Sequence, residues 1–183
     1  MGTLTFVFGR FQPPTNGHHR LLLAARNIAG DGEFRIYPSR TCDSKNNPLT
    51  PDQKHHYLRL AFPSLASCIV DDDRVRTALD VCSVACEEGF NKVVMVVGGD
   101  RLENFQDLLL KYNGDLYHLD EIDVVSGGDR DPKSVGVDGV SATQLREAAM
   151  DGDMDSFCIG LPDDLSPEDS KSLFLAVVDG LVD

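Results

Sequence analysis

Val93-Val94-Met95-Val96-Val97 is an unbroken apolar run, β-branched except at Met95, and it stops at Gly98-Gly99. Such a run is too short for a helix of ordinary length. It also lacks the polar alternation of a strand with one wet face. It suits a strand covered on both sides, as at the centre of a parallel sheet. That single segment demands helices on both faces of a sheet, and the rest of the chain supplies candidates.

Leu4 to Phe8 is a second short apolar run, ending at Gly9. From Gly17 the spacing is helical, with Leu21, Leu22, Ala25 and Ile28 on one face and Gly30 as the stop. Phe34 to Tyr37 predicts a strand, and Pro38 to Thr50 a polar loop. Pro51 suits the first turn of a helix that ends near Phe62-Pro63. Cys68-Ile69-Val70 predicts a short strand. Asp73 to Glu88 predicts a helix, with Val75, Leu79, Cys82 and Cys86 at helical spacing. Leu102 to Tyr112 is helical, Ile122 to Val125 a strand, and Gly127 to Gly139 a loop of Gly, Asp and Pro. Ser141 to Met150 and the tail from Ser166 to Leu181 complete the helices. Strand and helix alternate, which predicts an α/β three-layer fold with a mainly parallel sheet. The 183 residues read as one domain, 1–183, with a C-terminal helical segment from about residue 164. Ligands in such sheets bind beyond the carboxyl ends of the strands. The informative loops are therefore those after Phe8, Tyr37, Val97 and Val125.

The formal net charge is −13, from 17 basic and 30 acidic residues. A surface this acidic repels nucleic-acid backbones, so no nucleic-acid partner is expected, yet one nucleotide in a locally positive pocket is compatible with it. No apolar stretch is long enough to cross a bilayer, and the start of the chain lacks the basic residues of a signal peptide. Cys42, Cys68, Cys82, Cys86 and Cys158 are scattered and odd in number, as expected of reduced thiols in a cytoplasmic protein. Cys82 and Cys86 read as small apolar residues on a helix face. His55, His56 and His118 show no metal-ligand spacing.

The loop Gly9-Arg10-Phe11-Gln12-Pro13-Pro14-Thr15-Asn16-Gly17-His18-His19 lies between the first strand and a helix start. Free N–H groups and the helix dipole attract anions there. Gly9 and Gly17 allow close approach of the backbone, and Arg10 can grip phosphate oxygens with two N–H groups. His18, in the first turn, can donate to an oxygen that gains charge. The residues point to phosphoryl or nucleotidyl transfer. The Lys-Ser/Thr ending of a Walker loop is absent.

Thr15-Asn16-Gly17-His18 resembles the T/HxGH signature of the HIGH-type nucleotidyltransferase superfamily. Gly9-Arg10-Phe11-Gln12-Pro13 is similar to archaeal and bifunctional nicotinamide-mononucleotide adenylyltransferases. The superfamily's second signature, ISSTxxR, is matched by Val140-Ser141-Ala142-Thr143-Gln144-Leu145-Arg146 at a late helix start, where Ser141 is a good N-cap. Val97-Gly98-Gly99-Asp100-Arg101-Leu102 resembles the G-x-D-x-L segment of the same adenylyltransferases. Over most of its length, through Arg130-Asp131-Pro132 and Gly160-Leu161-Pro162, the chain resembles nucleotidyltransferase-like proteins of tailed bacteriophages.

The resemblance implies a Rossmann-like nucleotidyltransferase that moves a nucleoside monophosphate from a triphosphate to a small phosphorylated acceptor, releasing pyrophosphate. It implies His18, Thr15, Arg146 and Arg10 as the catalytic set. Gly9, Phe11, Gln12, Gly17, Gly98, Asp100, Ser141, Ala142 and Thr143 would bind the nucleotide. Lys45, with Lys54 close behind, and Arg130 are further candidates for phosphate or substrate. A magnesium ion would travel with ATP, held by phosphates and water rather than by protein side chains. Nicotinamide mononucleotide is the acceptor the motifs favour, although the chain has no Trp to stack its ring. Phosphopantetheine adenylylation and cytidylyl transfer remain open, as does a non-catalytic assembly or virion role on the same fold. The sequence leaves open whether the chain forms a homo-oligomer.

Overall fold

A computed structural model describes residues 2–128 and 140–182. Four strands, β1 (Gly2–Gly9), β2 (Glu33–Pro38), β3 (Phe90–Val97) and β4 (Glu121–Ser126), form one sheet in the order β2-β1-β3-β4. The sheet is parallel throughout. Leu4 stands opposite Val93 and Phe6 opposite Met95, while Val93 to Val97 run beside Ile122 to Ser126. The chain leaves β1 toward one edge and returns on the other side at β3. The direction of winding therefore reverses between β1 and β3, and the crevice beyond their carboxyl ends is the place where such sheets take ligands.

Seven α-helices accompany these strands among the described residues: α1 (Asn16–Ala29), α2 (Pro51–Ala61), α3 (Ala78–Glu87), α4 (Leu102–Tyr112), α5 (Ala142–Met150), α6 (Met154–Ile159) and α7 (Pro167–Val182). The chain divides into two compact units. The first comprises the described residues of 1–9, 20–37 and 70–130 and contains the sheet. Leu4, Phe6, Val93, Met95 and Val124 point to one face, where they meet Val81 and Cys82 of α3 and Leu109 of α4. Each such side chain contributes roughly 1.5–3 kcal/mol through burial. Val94 and Val96 alternate to the opposite face, and Leu21 of α1 lies beside Val96 there. The Val93–Val97 run is thus covered on both sides.

The second unit comprises 10–19, 38–69 and the described part of 131–183. It contains α2 and the C-terminal helices. Phe157 of α6 meets Phe174 of α7 edge-on at 5.2 Å, and the Tyr57 hydroxyl of α2 bonds Ser172 of α7 at 2.7 Å.

Three local expectations differ from the structure. The helix expected from Asp73 begins at Ala78, because Thr77 and Asp80 close a reciprocal cap there. Val75 stays outside it, in a turn whose N–H bonds the Asp72 carbonyl. Where a strand was expected, Pro63–Cys68 wind a 3-10 turn, Ile69 gives a single bridge position, and the Val70 N–H donates to Ile36 in β2. Ile28, expected on the inner face of α1, is 45% exposed. Its helix stops as expected at Gly30, whose φ of 58° suits a residue without a Cβ. Cys82 is buried, and burial pushes its thiol up to about 12. No helix among the described residues is long and apolar enough to cross a membrane.

Candidate active site

The first turn of α1 is built around a reciprocal hydrogen-bond pair. Thr15 is the residue before the helix, and its Oγ1 accepts the His18 N–H at 3.2 Å. In return, the Thr15 N–H donates to His18 Nδ1 at 3.0 Å. The same box opens α2 with Thr50 and Gln53, α3 with Thr77 and Asp80, and α5 with Ser141 and Gln144. In α1 an imidazole takes the place of the carboxamide or carboxylate. Phe11 holds the ring from another side, edge-on at 4.9 Å. The backbone of Phe11 sits at φ 48°, a conformation that costs a residue with a Cβ on the order of 1 kcal/mol or more. Burial of its ring, 1% exposed, holds it there. The Asn16 N–H is accepted by Gly160 at 3.0 Å. Among the described residues nothing accepts the Gly17 N–H, which therefore points a donor outward from the helix start.

Gln12 is buried, and its side chain is committed to the protein. Its Oε1 accepts the Leu49 N–H at 2.8 Å, and its Nε2 donates to the carbonyls of Leu49 at 3.0 Å and Thr41 at 3.3 Å. Its own carbonyl accepts Arg146 Nη1 at 2.9 Å. Gln12 thus ties the loop after β2 to the α5 arginine. The sequence suggested that it binds nucleotide, but its amide is already occupied.

Arg146 is 9% exposed, and its Nη2 also donates to Thr143 Oγ1 at 3.1 Å. Two of its five N–H groups are used, and no carboxylate among the described residues pairs with it. Burial, then the charge of Arg10, pulls its pKa down. Lys54, on α2, is fully buried. It donates to the Ser39 carbonyl at 2.5 Å and to Ser39 Oγ at 3.1 Å. Burial is the main cause that brings its ammonium down to about 8, with Arg10 and Arg40 repelling it further. Neither Lys54 nor Arg10 has a carboxylate partner among the described residues. Lys54 and Arg146 are thus two buried cations that both sense the exposed Arg10; neither is in salt-bridge contact with a carboxylate among the described residues, and Glu147 and Asp43 act on Arg146 only through their fields. Burying Lys54 and Arg146 without an ion-pair partner is expensive, a cost that a multiply charged anion would relieve.

The structure brings together His18, Thr15, Phe11, Gly17, Gln12, Arg146 and Thr143 in the second unit. Lys45 is not among them: it is exposed in the turn 43–47, whose N–H groups are gathered by the Asp43 carboxylate. Those bonds hold the Asp43 carboxyl down at about 2. Lys54, rather than Lys45, is the lysine buried near Arg10. Its signal was present in the sequence, because 54, 58 and 61 share one helix face and the last two are Leu and Ala. Ser141 caps α5, but its N–H is already accepted by Gln144 Oε1 at 2.7 Å, so Ala142 and Thr143 are the donors left at that helix start. Gly9 ends β1, and Arg10 follows it, exposed. Gly98 and Asp100 belong to the first unit, at the end of β3, where Asp100 is exposed. A Cβ on Gly98 would approach its carboxylate to 3.2 Å. Arg130 lies outside the described residues.

Comparison with known proteins bears on the same residues. Residues 6–148 match the family model described as cytidylyltransferase-like, a span that holds both signatures. No curated protein matches by sequence. Among solved structures, the chain is similar to a nicotinic acid mononucleotide adenylyltransferase of Plasmodium falciparum complexed with NaAD. The two share 12% identity at a TM-score of 0.56, over 100% of this chain and 95% of that one. It is similar to a bifunctional NMN adenylyltransferase/ADP ribose pyrophosphatase of Francisella tularensis, with 15% identity and a TM-score of 0.62, over 100% of this chain and 53% of that one. It is also similar to TmcAL of Thermotoga maritima bound with alpha-thio ATP, with 14% identity and a TM-score of 0.51, over 96% of this chain and 55% of that one. This chain thus spans about half the length of the last two. At these identities the likeness is one of fold. The family match rests on the sequence itself and covers most of the chain. The chain therefore belongs to the cytidylyltransferase-like family, within the HIGH-type nucleotidyltransferase superfamily, whose enzymes transfer a nucleoside monophosphate.

Proposed function

We propose that the chain transfers an adenylyl group from ATP to a small phosphate-bearing acceptor, nicotinamide mononucleotide in the first instance, by direct in-line attack with release of pyrophosphate. The observation that carries this reading is the cation group Arg10, Lys54 and Arg146, which lacks carboxylate partners among the described residues. A triphosphate supplies the missing negative charge. Arg146 has guanidinium N–H groups to spare for oxygens of the leaving pyrophosphate. Lys54, fully buried, adds its positive charge behind the site rather than a contact of its own. The Gly17 N–H and the start of α1 suit the phosphoryl group under attack, and His18 donates there as charge builds up.

In the reaction, a phosphate oxygen of the acceptor forms a bond to the α-phosphorus. The bond from that phosphorus to the bridging oxygen breaks, and the electron pair leaves with pyrophosphate. No protein nucleophile is required. The chain's contribution is position and charge, worth on the order of a hundredfold or more for each donor. No group of three or more His, Cys, Asp or Glu side chains that could hold a metal occurs among the described residues. In this reading magnesium enters as part of the Mg–ATP substrate.

Adenine is favoured by the Gly-Arg-Phe-Gln-Pro segment and by the adenylyltransferases among the similar structures. Cytidylyl transfer to a sugar or polyol phosphate is the second reading, favoured by the description of the matching family. The test is pyrophosphate release with ATP or CTP, magnesium, and a panel of nicotinamide mononucleotide, phosphopantetheine and glycerol 3-phosphate. Release with ATP and nicotinamide mononucleotide, lost in His18→Ala, supports the proposal. Release with CTP alone moves it to the second reading. Failure of both triphosphates to bind removes both readings.

A further inference from the structure

We infer that His18 closes the N-terminal cap of α1 through Nδ1, and that this bond commits the imidazole to the tautomer with its proton on Nε2. Thr15 then acts as a positioning residue rather than a catalytic one. The argument begins with donor chemistry. A backbone N–H can only donate, so the 3.0 Å contact from the Thr15 N–H requires a lone pair on Nδ1. In the neutral ring the proton must then be on Nε2. Thr15 Oγ1 accepts the His18 N–H and lies 3.2 Å from Nδ1, so the hydroxyl lines the same edge of the ring. Thr15 is wholly buried, which leaves its hydroxyl no surface to offer a substrate. Phe11 packs edge-on against the imidazole and limits its rotation.

The other helix starts show what the Nδ1 bond is for. Gln53 and Gln144 occupy the same third position of α2 and α5, and each accepts the N–H of its own capping residue. Asp80 does so in α3. His18 fills that place and, unlike them, keeps an N–H on the far edge of its side chain. A glutamine can replace the acceptor half of the histidine but not the ring's Nε2–H at its fixed position. Capping and chemistry are thus separable at one residue. The inference rests on the proposed function only for what the Nε2–H does; the tautomer and the cap stand on the hydrogen bonds alone.

The first experiment is 15N NMR of the histidine rings in the wild-type protein, at a pH about two units above the ordinary histidine value. His18, assigned by its loss in His18→Gln, is expected to show Nδ1 as the unprotonated and Nε2 as the protonated nitrogen, without averaging. A protonated Nδ1, or two nitrogens averaged between tautomers, overturns the inference. The second experiment compares His18→Gln with His18→Ala by thermal melting. His18→Gln is expected to melt within about 1 °C of wild type, while His18→Ala loses the cap and melts about 2–4 °C lower. Equal losses in the two variants overturn the capping role. Both readouts are independent of turnover. If pyrophosphate release is absent with every acceptor, the proposed function fails while the tautomer and cap remain measurable. If wild type turns over, His18→Gln is expected to lose about a hundredfold or more; retention of activity shows that the Nε2–H is dispensable and overturns the role given to it.

Discussion

Lys54→Met changes stability and ligand binding in opposite senses. Lys54 is fully buried, and burial brings its pKa from 10.5 to about 8. A lysine whose folded value is depressed is charged in both states below about pH 8, and there its charge opposes folding. The difference of about 2.5 pH units corresponds to about 3 kcal/mol. That cost falls as pH rises through the folded value toward 10.5, where both states are neutral. Methionine carries no such cost at any pH, although it leaves the Ser39 carbonyl without a donor, a loss of about 1–3 kcal/mol that varies little with pH. At pH 7 the two effects nearly cancel, and Lys54→Met is expected to be as stable as wild type or slightly more so. Between pH 8 and 10.5 wild type should gain about 3 kcal/mol relative to the variant. Denaturant melts at several pH values read this difference directly. In calorimetric titration the variant should bind ATP at least about tenfold more weakly, since one positive charge beside the site is lost. A stability difference that does not change with pH, together with unaltered ATP affinity, would refute the reasoning.

Arg146→Lys should lower pyrophosphate release by about a hundredfold with little change in melting temperature, because lysine keeps the charge but cannot span both the Gln12 carbonyl and a phosphate; steady-state rates and a melt check this. Gln12→Leu should cost about 2–4 kcal/mol in a denaturant melt, since it strips partners from the buried Leu49 N–H and carbonyl. Gly180→Ala should also lower the melting temperature, by several degrees, because a Cβ there collides with the Pro48 carbonyl and backbone cannot yield as a side-chain tip can. Thr15→Ser should retain the cap of α1 and turnover within a few fold, whereas Thr15→Val should lose about 1 kcal/mol, read as a melting shift of about 2–4 °C.

Much of the fold is written in local patterns. Val93–Val97 announces an inner strand because a strand buried on both faces needs no polar alternation, and α4 lies at Leu102–Tyr112, the bounds its spacing predicts. Other elements depend on information the hydrophobic pattern lacks. The start of α3 is decided by the Thr77–Asp80 bond, not by Val75. The short α6 buries Phe157 alone and leaves too little periodicity to detect. The two signatures single out His18 and Arg146, which the structure places in one unit, but side-chain partners decide what the neighbours do. Gln12 and Thr15 have the chemistry of ligand-binding residues, yet their polar atoms are taken by Leu49 and His18. Lys45 and Lys54 are the same residue type nine positions apart, and only burial on the α2 face distinguishes them.

The central claim is that a nucleoside monophosphate moves from triphosphate to acceptor without a protein intermediate. The most direct measurement is 31P NMR of the wild-type protein incubated with ATP, magnesium and nicotinamide mononucleotide. The account predicts that the acceptor's phosphate monoester signal is replaced by a diphosphate bridge, with one pyrophosphate formed for each ATP consumed. ATP that is hydrolysed with no acceptor incorporated, or that binds and stays intact across the whole panel of acceptors, would contradict it.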